Sequence, residues 1–160
     1  MAVILPGDKE LDTEPSITKK SLKINLNDNI YGTFAEIGAG QEVVRHFYRA
    51  GGASGTVAKS ISAYDKNFSN QIYGEEEDKR YVTQNRLYKM LDYEMDLLEK
   101  RISRKKHPER FFFVYANTVA TIDFVKKFKG HGWMGIRFQT SPNDDFSEIS
   151  LHVRFKQNEV

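Results

Sequence analysis

The run Phe34-Ala-Glu-Ile-Gly-Ala-Gly-Gln-Glu-Val-Val-Arg-His-Phe-Tyr-Arg-Ala-Gly-Gly-Ala-Ser-Gly-Thr56 decides how this chain is read. Five of the eleven glycines fall in it, as Gly38-Ala-Gly40 and Gly51-Gly-Ala-Ser-Gly55, on either side of a short amphipathic segment. Glycine is costly inside regular elements, so such clusters mark backbone that turns sharply or is closely approached. Between them, Gln41 to Arg49 places Val43, Val44, Phe47 and Tyr48 on one helical side and Arg45 and Arg49 on another. Gly51-Gly52 supplies the helix stop. Gly32 to Ile37 reads as the strand before this helix, and Thr56 to Tyr64, with Val57 and Ile61, as the strand after it.

Upstream, Leu22, Ile24 and Leu26 alternate with Lys23 and Asn25, the pattern of a half-buried strand ending at the turn-forming Asn27-Asp-Asn29. Residues 1–20, with Pro6-Gly7, an acidic stretch and Pro15, read as a flexible arm, and 21–160 as a single domain. Downstream, the polar segment 65–79, carrying Gly74 and Glu75-Glu-Glu-Asp78, reads as a surface loop. From Val82 to Arg104 the recurrence of Leu87, Leu91, Met95, Leu98 and Ile102 predicts a long amphipathic helix, ended by Pro108. Arg110 to Ala116, with Phe111-Phe-Phe-Val-Tyr115, predicts a buried strand. Residues 119–128 have no decisive period. Gly132 to Thr140 and Glu148 to Lys156 alternate clearly and, joined by Ser141-Pro-Asn-Asp-Asp145, predict an antiparallel hairpin. The class is α/β, with α+β as the neighbouring possibility: one mixed sheet, a long helix packed on it and a C-terminal hairpin.

Composition narrows the function classes. At 160 residues and 18.5 kDa, with 39% apolar and 29% charged residues, the chain suits one globular domain. A net charge of +2 makes nucleic acid an unlikely partner. With no cysteine, disulfides, thiolate metal sites and a cysteine nucleophile are out. The N-terminus lacks the features of a signal peptide, and no apolar run approaches the roughly 20 residues of a membrane helix, so a cytoplasmic location is expected. No histidine pair has ligand spacing, so no metal site is expected.

Three constellations carry possible chemistry. Glu36, Gly38, Gly40 and Gln41 form an acid-Gly-x-Gly turn before a helix, where free amides suit an anion. Class I methyltransferases open their adenosylmethionine site similarly, with Asp65 as the candidate ribose acid. Gly51, Gly52 and Ser54 are a second possible anion cradle, although the Gly-Lys-Ser/Thr ending of a P-loop is missing. Lys129-Gly-His-Gly-Trp133 with Arg137, and His152 with Arg154, fall on paired strands, where one sheet face would gather Arg137, His152 and Arg154, with His131 near its end, for a phosphate or carboxylate. Tight structural turns and a solvated strand face are the competing readings.

The segment Asn25 to Asp65, with Arg80-Tyr-Val82, His131-Gly-Trp-Met-Gly-Ile-Arg-Phe-Gln139 and His152-Val-Arg154, resembles a bacterial family spanning nearly all of 22–156. Its members go by two conflicting names, TonB-dependent receptor and nicotinate-nucleotide (or NMN) adenylyltransferase. The resemblance implies that this chain is the N-terminal portion of a longer protein and transfers no catalytic residue. Lys129-Gly-His-Gly132 departs from the His-x-Gly-His motif of adenylyltransferases, and Ser60-Ile-Ser-Ala63 from their Ser-x-Thr partner.

The expectation from all this is a domain that binds an anionic small molecule or nucleotide where the two glycine clusters meet. The alternatives are a non-enzymatic scaffold or assembly domain, contacting a downstream part of a longer chain, and a nucleotide-related transferase, adenylyltransferase or methyltransferase-like. Which cofactor, if any, and which reaction the residues do not say.

Overall fold

The computed structural model describes residues 14–121, 125 and 129–156. In chain order its elements are α1 (Ile17–Asn25), β1 (Ile30–Gly38), α2 (Val43–Ala50), a 3-10 turn (Ala53–Gly55), β2 (Val57–Ala63) and α3 (Lys66–Tyr73). They continue with α4 (Gln84–Arg101), β3 (Phe111–Ala120), β4 (His131–Phe138) and β5 (Ser147–Arg154). The strands form one mixed sheet in the order β2-β1-β3-β4-β5. β1 lies parallel to both β2 and β3, whereas β3/β4 and β4/β5 are antiparallel. The expected α/β architecture, with its long helix and C-terminal hairpin, is the observed one.

Strand alternation sorts the residues onto two faces. One carries Ala35, Ile37, Phe112, Val114 and Ala116, against which α4 lays Leu87, Met90, Leu91, Met95 and Leu98 as the main core. The other carries Phe34, Phe113 and Tyr115 and meets α2, the Phe34 ring lying 4.9 Å from that of Phe47. Among the described residues, no helix is long and apolar enough to cross a membrane.

Two expectations fail. Residues 22–26 are not a strand but the end of α1, which also takes in 17–20 of the expected arm; residues 1–13 lie outside the described residues. Ser16 caps this helix, accepting from the Lys19 amide at 3.3 Å. Leu22 and Leu26 are also four residues apart, so three alternating apolar residues fit a helix as well as a strand. The α1 face that docks is polar: Asn25, 3% exposed, donates its amide to the Phe47 and Gly51 carbonyls at 2.9 and 2.8 Å. It thereby occupies carbonyls that the end of α2 leaves open.

The segment 65–79 is not all loop. Asp65 accepts from the Phe68 amide at 2.9 Å and starts α3, which ends at Gly74 with φ 85°. Inward-facing Ser69 and Tyr73, four apart, are enough to seat a short polar helix. β3 continues past the expected Ala116 to Ala120, and six of the ten residues of the indecisive segment 119–128 lie outside the described residues.

Candidate functional site

In open α/β sheets, ligands sit beyond the carboxyl ends of the parallel strands. Here that end collects the C-termini of β1, β2, β3 and β5 and the start of β4, because β4 runs against its two neighbours. Glu36, Gly38, Gly40, Gln41, His131, His152 and Arg154 all lie there. Gly51, Gly52 and Ser54 do not. They sit at the far end of α2, about 12 Å along an eight-residue helix, and lead into the amino end of β2. The two glycine clusters therefore do not share one hollow, and the expected meeting of their amides is corrected. Gly51 and Gly52, with φ 84° and 70°, shape a helix-stopping turn, and Ser54 is exposed beside it.

The first cluster is filled from within. Glu36, 2% exposed, places Oε1 2.7 Å from the Val44 amide at the start of α2. The protein's own carboxylate thus takes the helix N-terminus that an outside anion would have used. The Ala39 amide donates to the Val119 carbonyl at 3.1 Å. Gln41 donates its side-chain amide to the Glu36 and Gly38 carbonyls, both at 2.8 Å, and accepts from the Ser62 hydroxyl at 2.5 Å. A Cβ on Gly40 would lie 2.7 Å from Val119 Cγ2 and 2.8 Å from Asn117 Oδ1. These glycines let β3 and the turn approach each other. Glu36 faces the helix and Asp65 caps α3, so the methyltransferase reading loses both of its acids.

Beneath the turn, Glu36 Oε2 and Asn117 Oδ1 are buried without a hydrogen-bond partner, and these two residues are directly opposed in the β1/β3 register. Burial pushes the Glu36 carboxyl pKa above its ordinary value, and the Val44 and Val43 amides offset that only partly. With the folded pKa raised, the protonated form favours folding. The Glu36 contribution is thus fully present below pH 4.5 and fades as pH rises through the raised value. Glu36→Gln keeps an acceptor for Val44 without the buried charge. It is expected to match or exceed the parent in stability at pH 7 and to flatten the pH dependence, whereas Glu36→Ala loses about 1–3 kcal/mol. Urea unfolding at pH 5 and pH 8 checks both.

The third constellation splits. His131, His152 and Arg154 share one face and one end, with His131 directly across from Arg154. The His131 Nδ1 and His152 Nε2 atoms are 3.0 Å apart, and Trp133 stacks on the His152 ring at 4.6 Å and 5°. With Lys129 they line a cleft of about 310 Å³. Gly130 completes it, since a Cβ there would lie 2.4 Å from the Phe155 ring. Burial, then the neighbouring His152 and Arg154, hold the His131 pKa below its ordinary value. Arg137 shares the face but lies six residues along β4, about 20 Å away. Its guanidinium is held by Asp92 and, at 2.6 Å, by Glu148. It fixes α4 to the hairpin and is not part of the cleft.

Lys129 and Trp133 bound the Lys129-Gly-His-Gly-Trp133 stretch already named in the sequence, whereas Asn117 is not among its candidates. The polar pair Asn117-Thr118 breaking an apolar strand was the available signal for the strand end. Among the described residues, no group of three or more potential metal ligands occurs.

No protein-family model and no curated protein matches the chain. Solved structures do share its fold. A competence-damaged protein (CinA) superfamily protein from Enterobacter cloacae superposes with a TM-score of 0.60 at 11% identity, over 99% of this chain and 87% of that one. A CinA superfamily protein from Klebsiella pneumoniae gives 0.59 at 9% identity, over 89% and 82%. The competence/damage inducible protein CihA from Agrobacterium tumefaciens gives 0.56 at 12% identity, over 88% and 81%. Identities this low establish a shared fold and nothing about activity. They do correct the resemblance expected from the sequence. The fold is that of CinA superfamily structures, and the names TonB-dependent receptor and nicotinate-nucleotide or NMN adenylyltransferase are set aside.

Proposed function

We propose that this domain binds a small anionic ligand in the cleft lined by Lys129, His131, His152 and Arg154. The observation that carries the reading is convergence without compensation: four basic side chains line one cleft, and among the described residues no carboxylate lines it with them. Arginine and lysine supply fixed positive charge, and His131 adds to it when it takes up a proton. Gly38, Gly40 and Gln41 shape the neighbouring strand end and stay outside the contact set.

The pH dependence follows from the lowered His131 pKa. At pH 7 His131 is mostly neutral, and an anion favours its charged form, so binding takes up a proton. Affinity is expected to rise as pH falls through that lowered pKa, below the ordinary 6.5. Calorimetric titration with inorganic phosphate, pyrophosphate and AMP at pH 5.5 and 7.5 tests this. Saturable binding, tighter at pH 5.5 and weakened tenfold or more by Arg154→Ala, supports it. Tighter binding of AMP than of phosphate would extend the site to nucleotides. Absence of binding by all three, or indifference to Arg154→Ala, ends the proposal.

The scaffold reading keeps one observation of its own. The β5 side chains on the face away from α4 stay uncovered, Ile149 being 51% and Leu151 53% exposed.

A further inference from the structure

β5 is an edge strand with no proline and no register shift against β4. Such an edge leaves a row of backbone donors and acceptors open to another strand. Its side chains divide cleanly. Ile149, Leu151 and Val153 point to one face; Glu148, Ser150, His152 and Arg154 point to the α4 face. Phe146 and Phe155 flank it, each 38% exposed. Among the described residues Arg154 makes no ion pair, and Glu148 is held by Arg137 alone.

We propose that β5 pairs antiparallel with β5 of a second copy of this chain about a two-fold axis at Leu151, joining two sheets into one of ten strands. The strand is self-complementary in this register. Leu151 meets Leu151, Ile149 meets Val153, and Glu148 meets Arg154 of the second copy, twice by symmetry. Continued through the β4/β5 pairing, each charged row reads His131, Arg154, then Glu148 and Arg137 of the second copy, so a carboxylate lies between two guanidinium groups. The apolar row reads Met134, Leu151, Leu151 and Met134. Moving the register by two residues in one direction puts Arg154 opposite Phe146 and in the other puts it opposite Ser150, losing both ion pairs. Cross-strand pairs of opposite charge and apolar pairs stabilise a sheet, and like charges face to face disfavour it. A C2 contact of this kind closes on itself and does not propagate. The pairing and the anion site share Arg154: in the dimer its guanidinium faces Glu148 of the second copy, while Lys129, His131 and His152 stay in the cleft.

The absence of cysteine makes the test clean. Under oxidised glutathione, Leu151→Cys is expected to cross-link to a dimer because only the residue on the axis meets itself. Ile149→Cys and Val153→Cys alone should not, but a mixture of the two should. Sedimentation velocity on the uncross-linked chain should show a concentration-dependent dimer. Leu151→Lys and Glu148→Arg should each weaken it tenfold or more, with Glu148→Arg restored by adding Arg154→Glu. Circular dichroism confirms that each variant is folded, and Leu151 is exposed enough to change safely. A parent chain that stays monomeric at millimolar concentration overturns the proposal. So does a dimer unaffected by Leu151→Lys, or cross-linking of Ile149→Cys alone in preference to Leu151→Cys.

Discussion

Arg86→Ala is expected to cost about 3–5 kcal/mol, the range for breaking a buried ion pair by removing one partner. Arg86 is fully buried on the first turns of α4. Its Nη2 donates to Asn70 Oδ1 and to the Gly74 carbonyl, both at 2.8 Å, and its Nε lies 3.2 Å from Glu76 Oε1. The guanidinium also lies 5.0 Å from the Tyr81 ring centre. One side chain thus ties the end of α3, the segment 74–81 and α4 together. Tyr81 passes the tie onward, because its carbonyl accepts from the Thr118 hydroxyl at 2.8 Å at the carboxyl end of β3. Removing Arg86 leaves Glu76, 4% exposed, with Lys89 and Asn85 to hold its charge among the described residues. Burial lowers the Arg86 pKa, which is the same desolvation cost seen from the other partner. Urea unfolding measures the loss. Pairing Arg86→Met with Glu76→Gln should recover a good part of it, since both buried charges then go together. A loss below about 1 kcal/mol for Arg86→Ala would show that water reaches this network.

Gly38→Ala is the second large effect, about 3 kcal/mol or more. Gly38 has φ 76°, and a left-handed conformation alone costs a side-chain-bearing residue about 1–2 kcal/mol. An added Cβ would also lie 2.2 Å from the Val119 carbonyl oxygen, which is backbone and cannot rotate away. The last β1/β3 rung, Gly38 with Val119, has to open, and the bond from the Ala39 amide to that same carbonyl goes with it. Gly51→Ala is the matched control. Its φ is 84° and ψ 165°, yet beyond its chain neighbours nothing lies within 4 Å of the added Cβ, so only the conformational part, about 1–3 kcal/mol, is expected. Thermal unfolding of the two variants isolates the steric difference. Equal losses would mean that the turn is looser than the close approach of Val119 implies.

A glycine cluster by itself does not mark a ligand. Glycine marks close approach, and in this chain what approaches at Gly38 and Gly40 is β3 itself. The acid beside them was legible, but its role was not. A carboxylate before a Gly-x-Gly turn serves a cofactor or its own helix equally well in the sequence, and Glu36 serves α2. The α3 boundaries were legible as well, in Asp65 and Gly74, and were outweighed by the polarity of the segment between them. The shared face of His152 and Arg154, with His131 near its end, is legible because hairpin alternation is local. Arg137 was drawn in by the same alternation, which ranks faces but says nothing of distance along them.

Local periodicity and turn chemistry were enough to establish the long helix α4, the β4/β5 hairpin and the strand–helix–strand order around the glycines. These depend on neighbours within a few residues, so the chain carries them in its text. The tertiary structure alone decided that the two glycine clusters face opposite ends of the sheet, that Glu36 closes α2 from within, and that four basic groups line one cleft. Those outcomes rest on strand order and direction, set by apolar faces brought together from distant parts of the chain, and no short window of sequence contains them.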